Sequence, residues 1–269
     1  MKRRNFLGLS SAALGLASFG GMSVFAQGAD GERQYLELQK FTFEKEEQKQ
    51  AFHAYMKEAA IPALNRLGIK PVGVLTPDPA NPPKDPAYLN NIFVILPHPN
   101  ADSALTLNRK LLADAGFTGK SDAYISAIKA EAQYKELESW LMLAFKGMPK
   151  IERPSTVPDR VFQLRIYESP SLKTGQKKIE MFNDAGEIKI FREVGLNPVF
   201  FGEVLFGAKL PNLTYMLSFD NTDAMKAAWK KFGGHPEWQR LKGMQEYADN
   251  RILRNIINLV LKPTEYSQL

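Results

Sequence analysis

Two stretches of this chain repeat one layout at a spacing of about 120 residues, and no other feature narrows the possible folds as far. Tyr35-Leu-Glu-Leu-Gln-Lys-Phe41 matches Val161-Phe-Gln-Leu-Arg-Ile-Tyr167, and each reads as a short alternating strand. A charged helical stretch follows in each half, over residues 44–67 and 174–194. Both end alike. Gly68 and Gly195 can take the left-handed conformation that closes a helix, and Pro71 and Pro198 cannot continue it. β-rich segments over 92–96 and 213–219 then run into helix starts at Asn100-Ala-Asp-Ser103 and Asn221-Thr-Asp-Ala224, whose side chains can accept free backbone N–H groups. Terminal strands over 139–145 and 255–261 complete the copies.

The order in each half is βαββαβ, the ferredoxin-like unit. Residues 151–159 hold two prolines and polar side chains and read as the linker. The expected organisation is therefore one unit over 30–150 and a second over 158–266. Such a unit has helices on one sheet face only, and a bare second face would be a large apolar patch. Two units in one chain can turn those faces together. The expected fold class is α+β: tandem ferredoxin-like units forming a pseudo-dimeric α/β barrel.

Alternation sorts the strand residues by face. Leu36 and Leu38 share one face of the first strand, as do Phe162, Leu164 and Ile166 in its counterpart, and this apolar set is expected to meet the helices. The set Glu37, Gln39, Gln163, Arg165 and Tyr167 is then expected to point into the space between the sheets, where polar groups need partners, water or a ligand. Two readings stay open: a small polar pocket, or a buried polar network that merely fixes the pairing of the halves.

Lys2, Arg3 and Arg4 precede a weakly apolar, Gly- and Ser-rich stretch that ends Val24-Phe25-Ala26, so residues 1–26 read as a removable signal peptide. Arg3-Arg4-Asn5-Phe6-Leu7 resembles a twin-arginine export motif; an ordinary Sec signal is the alternative. The expectation is a bacterial, exported, periplasmic protein with no membrane span once the signal is removed. Removal takes away three basic residues and no acid, leaving 32 Lys and Arg against 29 Asp and Glu. The charges are interleaved, as in Glu44-Lys-Glu-Glu-Gln-Lys49, which is a solvated helix face and not a nucleic-acid surface. Cysteine is absent, which excludes disulfides, thiolate metal sites and a cysteine nucleophile.

The three histidines, His53, His98 and His235, match no metal motif by spacing, and no nucleophile elbow, P-loop or dinucleotide glycine pattern occurs. His98, between two prolines, is expected in a loop, and His53 on a helix surface. His235 follows Phe232-Gly233-Gly234 and precedes Pro236, so it can cap a new helix; as a functional group it would be a general base or axial ligand at a pocket mouth. His235, Tyr167 and Arg165 are the catalytic candidates. Trp229 and Trp238 read as core anchors, and Arg251 and Arg254 as surface groups that could also meet an anion.

Gln163-Leu-Arg-Ile-Tyr-Glu168, Gly195-Leu-Asn-Pro198, Thr222-Asp-Ala-Met-Lys-Ala-Ala-Trp229 and His235-Pro-Glu-Trp238 resemble the NIPSNAP domain of the dimeric α/β-barrel superfamily. The first half keeps the layout but lacks these signatures: Lys40-Phe41 stands in place of the Arg-x-Tyr element, and no His-Pro-Glu-Trp occurs. That superfamily includes haem-degrading and quinone-forming monooxygenases, peroxidases, isomerases and proteins without known activity, so the resemblance leaves reaction and cofactor unassigned. A small-molecule binder or enzyme with its site between the sheets, and a non-catalytic exported interaction protein with a packed barrel, both remain open. Homo-oligomerisation is compatible with either.

Overall fold

The computed structural model describes residues 33–269, so the expected signal peptide lies outside the described residues. The first half runs β1 (Tyr35–Thr42), α1 (Glu46–Tyr55), a π-helical turn (Met56–Ala60), α2 (Ile61–Arg66), β2 (Gly73–Pro77), β3 (Asn91–His98), α3 (Ala101–Ala113), α4 (Ala115–Ile125) and β4 (Glu136–Ala144). The second half runs β5 (Val161–Glu168), α5 (Leu172–Asn183), α6 (Glu187–Val194), β6 (Asn197–Phe206), β7 (Asn212–Phe219), α7 (Thr222–Gly234), α8 (Pro236–Gly243), α9 (Asp249–Ile252) and β8 (Asn255–Pro263). Both halves are βαββαβ. The helix ends follow the local chemistry: Gly68 and Gly195 have φ of +78° and +85°, and the Asn100 and Asn221 side chains accept the N–H groups of Ser103 and Ala224.

The strands close into one eight-stranded barrel in the order β1-β3-β2-β8-β5-β7-β6-β4. Each half supplies four adjacent strands, β4-β1-β3-β2 and β8-β5-β7-β6. The halves join at two antiparallel seams. Leu75–Pro77 of β2 meets Leu261–Pro263 of β8, and Leu141–Ala144 of β4 meets Gly202–Phe206 of β6. At the second seam Gly202 passes so close to Met142 that an added Cβ would lie 2.8 Å from it. This is the tandem ferredoxin-like, pseudo-dimeric α/β barrel anticipated above. Among the described residues no helix is long and apolar enough to cross a membrane.

The facing of the strands is the reverse of the expectation. Leu36, Leu38, Phe162 and Leu164 lie inside the barrel, packed with Phe93, Trp140, Met142, Phe200, Met216 and Leu261. Glu37, Gln39, Gln163, Arg165 and Tyr167 sit on the outer face, under the helices, and do not line a chamber between the sheets. The reason is geometric. An eight-stranded barrel is just wide enough for its inward side chains to fill it, so the more uniformly apolar face goes in. The outer face also meets helices, but there polar side chains can reach partners and the layer edges. The interior is packed, with a gap of about 60 Å³ at one mouth.

This packing sets a stability contrast. Leu164 is fully buried in the barrel, and Leu164→Ala is expected to lower unfolding free energy by about 2–5 kcal/mol in urea titration. Leu105→Ala, on α3 where the side chain is 75% exposed, is expected to change it by less than about 0.5 kcal/mol.

Candidate functional site

β1 and β5 stand four places apart in the barrel order, on opposite sides. The five predicted site residues therefore fall into two groups, Glu37 with Gln39 and Gln163 with Arg165 and Tyr167, each under the helices of its own half. The first group borders a cavity.

A cavity of about 440 Å³ lies between the outer face of β1, β3 and β4 and the helices of the first half. Gln39, Phe41, Val94, Leu96 and Leu137 form its strand side. Tyr55, Met56, Ala60, Leu107 and Tyr124 face them from the helices, and Gln133 and Tyr134 close it from the segment before β4. The helix side owes its shape to a local break in hydrogen bonding. Pro62 has no N–H to donate, and the Ile61 N–H reaches back five residues to the Met56 carbonyl. The widened turn presents Met56 and the small Ala60 to the cavity. Asp114 caps α4 and accepts three hydrogen bonds at 2.8–3.0 Å from the Arg66 guanidinium, which ties α2 to α4 across the roof.

The cavity has aromatic walls with polar points. Tyr55 and Tyr124 stack with centroids 4.1 Å apart and planes 8° from parallel. Tyr134 meets the edge of Phe41 at 5.4 Å. The Tyr124 hydroxyl is buried and has no hydrogen-bond partner among the described residues. Burial pushes the Tyr55 phenol up to about 12, and burial together with the neighbouring phenols pushes Tyr124 higher, so both stay protonated donors near neutral pH.

Beside the cavity, Glu37 orients Gln39. Glu37 Oε1 accepts hydrogen bonds from Gln39 Nε2 and from the Ser139 hydroxyl, both at 2.8 Å. Its Oε2 lies 3.1 Å from His98 Nε2, and His98 Nδ1 lies 3.1 Å from Ser103 Oγ. Burial alone would raise the Glu37 carboxyl, but hydrogen bonds from His98, Gln39 and Ser139 outweigh it and hold the group below its ordinary range. An ionised carboxylate only accepts, so the Gln39 amide nitrogen must face Glu37, which leaves its carbonyl oxygen for the cavity. His98 is thus the last residue of β3 and fully buried, not in the loop its flanking prolines suggested.

The corresponding space in the second half is filled. Phe145, Phe182, Phe191, Phe201 and Tyr215 pack there ring on ring. The Tyr215 hydroxyl donates to the Tyr167 hydroxyl at 2.9 Å, and Trp229 Nε1 donates to Gln163 at 2.6 Å. Lys178 and Glu187 form a buried ion pair at 3.0 Å. Arg165 lies against Trp229 and Tyr167. His235 sits between α7 and α8 with Pro236 opening the new helix, and its Nε2 is 3.5 Å from Glu193. His53, on α1, is half-buried against the Tyr266 hydroxyl. Among the described residues no three His, Asp or Glu side chains gather to hold a metal ion. Sequence reasoning missed Tyr55, Tyr124 and Tyr134, because aromatic residues on inward helix faces carry no mark that separates a cavity wall from core packing.

The Glu37 network predicts an acid-sensitive element. A lowered folded-state pKa contributes stability that is present above the unfolded value and is lost as pH falls through the folded one. Urea titrations from neutral pH down through the ordinary glutamate range near about 4.3 are expected to show stability falling on acidification, with a smaller fall in Glu37→Gln.

Residues 162–268 match the family model described as NIPSNAP. A candidate monooxygenase from Fusobacterium nucleatum is 7% identical, with 87% of this chain and 93% of that chain covered at a TM-score of 0.56. A candidate monooxygenase from Lactobacillus acidophilus is 10% identical, with 86% and 94% covered at a TM-score of 0.57. A NIPSNAP family protein from Agrobacterium tumefaciens is 20% identical over 41% of this chain and 98% of its own, at a TM-score of 0.37. No curated protein matches the chain.

Proposed function

We propose, for a chain whose residues 162–268 form a NIPSNAP domain, that the other half does the binding: its sheet–helix cavity takes a small planar aromatic molecule with a hydrogen-bonding group. The observation that carries this reading is the pairing of an aromatic wall with an unpartnered buried hydroxyl. Tyr55 and Tyr124 offer a flat apolar face, and the Tyr124 hydroxyl lacks the partner that a buried polar group requires. The cavity volume falls within the range of about 300–1,000 Å³ found for small-molecule pockets. Gln39, fixed by Glu37, supplies an acceptor, so a ligand hydroxyl or amide has two points of attachment.

The naming of two proteins of similar fold as candidate monooxygenases is compatible with an organic ligand, although at such low identity the likeness is one of fold. Export belongs to the same proposal. It is supported by Lys2, Arg3 and Arg4 and by the apolar stretch that follows them, and the binder would then work outside the inner membrane. The solid barrel interior removes the inter-sheet chamber but leaves the outer cavity, so a packed barrel and a ligand site coexist in this fold.

Titration with 2-naphthol, followed by its fluorescence, tests the reading. The native protein is expected to bind saturably. Leu107→Trp, which fills the cavity from α3, is expected to abolish binding, and Tyr124→Phe to weaken it about twofold to tenfold. Absence of saturable binding, or binding that Leu107→Trp leaves intact, would contradict it.

A further inference from the structure

Arg165 is a largely buried charge that the structure leaves without a counter-ion. Its Nε is buried and has no hydrogen-bond partner, and no carboxylate lies within ion-pair distance among the described residues. What surrounds it is aromatic. The guanidinium carbon stands 4.7 Å from the Trp229 ring and 5.4 Å from the Tyr167 ring. Glu187 acts on it only weakly, being engaged by Lys178 at 3.0 Å. A desolvated guanidinium N–H without an acceptor is costly, and carboxylate and phosphate oxygens are spaced to accept two parallel bonds from its fork of donors.

Arg165 borders a cleft of about 460 Å³ where the two halves meet. Lys84, Asp85 and Tyr88 line it from the connection between β2 and β3, Lys209 from the connection between β6 and β7, and residues 255–259 of β8 from below. That part of β8 pairs with β5 on one side only, because β2 joins β8 farther along, at Leu261–Pro263. Lys84 is exposed and has no ion-pair partner among the described residues. Lys209 lies 3.7 Å from Glu168, a carboxylate also held by Arg254 at 3.3 Å. The Asp85 carboxylate accepts the Ala87 N–H. The cleft is thus lined by three cations, Arg165, Lys84 and Lys209, and one carboxylate, Asp85.

We infer that this cleft binds a small organic acid, with its oxyanion on Arg165 and Lys84 and its carbon skeleton against Tyr88 and Ile257. The volume exceeds what a bare ion would occupy, and Tyr88 and Ile257 continue into the apolar gap at the barrel mouth. The oxyanion can belong to a carboxylate or a phosphate monoester; each presents two oxygens that accept parallel N–H bonds from a guanidinium. This site is separate from the aromatic cavity of the first half.

Isothermal titration of the full chain at low ionic strength with benzoate, phenyl phosphate and inorganic phosphate tests the inference. One-site binding of benzoate or phenyl phosphate supports it, and the tighter of the two identifies the oxyanion. Arg165→Gln is expected to weaken that binding at least about tenfold, and the surface change Lys84→Gln about twofold to tenfold. Both variants should keep the native response to 2-naphthol, which shows that the fold and the first-half cavity are intact; if instead 2-naphthol fails to bind the native protein while benzoate binds, the aromatic reading falls and this one stands. No saturable binding of either organic acid, binding of inorganic phosphate alone, or organic-acid binding unchanged in both variants would overturn it.

Discussion

Everything in this molecule follows from closing two four-stranded sheets into one barrel through two short seams. Three residues of β2 against three of β8, and four of β4 against a bulged stretch of β6, are enough to leave no open sheet between the halves. Closure decides the fate of both sheet faces. The inner face is filled mostly by apolar side chains, with the small Thr214 and Ser218 beside Met216 on β7 and the Lys40–Glu138 ion pair at one mouth. The outer face is covered by helices, whose edges admit solvent and whose side chains can pair with strand residues. Large polar strand residues are therefore carried on the outer face, and the middle of the barrel holds apolar side chains with only small hydroxyls among them.

The repeat and the local punctuation were legible in the sequence for this reason: they depend on single residues acting on their own backbone. Gly68 and Gly195 end helices because their φ is positive, and Asn100 and Asn221 start them because their side chains accept backbone N–H groups. Strand facing was not legible. Alternation tells which residues share a face, and here both faces are buried, so it does not tell which one turns inward. His98 misled for a related reason. Its neighbouring prolines suggest a loop, yet Pro97 and His98 still pair with Leu36 and Tyr35 at the end of β3, and the imidazole is buried by the Glu37 carboxylate it meets across the pair of strands.

The two halves share a layout and use it differently. In the half that carries the family signatures, aromatic rings fill the space between sheet and helix, and the polar residues of β5 are absorbed into that layer or left at its edge. In the other half, a π-helical turn and the small Ala60 widen the same space. Duplication permits this division: one copy can hold the barrel closed while the other relaxes its packing around a cavity. The stacked Tyr55 and Tyr124 then form a wall with no counterpart among the motifs, which explains why the candidate residues chosen from the sequence meet this cavity only at Gln39.

The central claim is that the ligand space lies between sheet and helices of the first half and that the barrel interior is solid. A crystal structure of the protein soaked with 2-naphthol tests it directly. The account predicts density stacked on Tyr124 and within hydrogen-bonding reach of Gln39, with the side chains around Leu164 and Phe200 undisturbed. Density inside the barrel, with Phe162 or Phe200 displaced to admit it, would contradict the account.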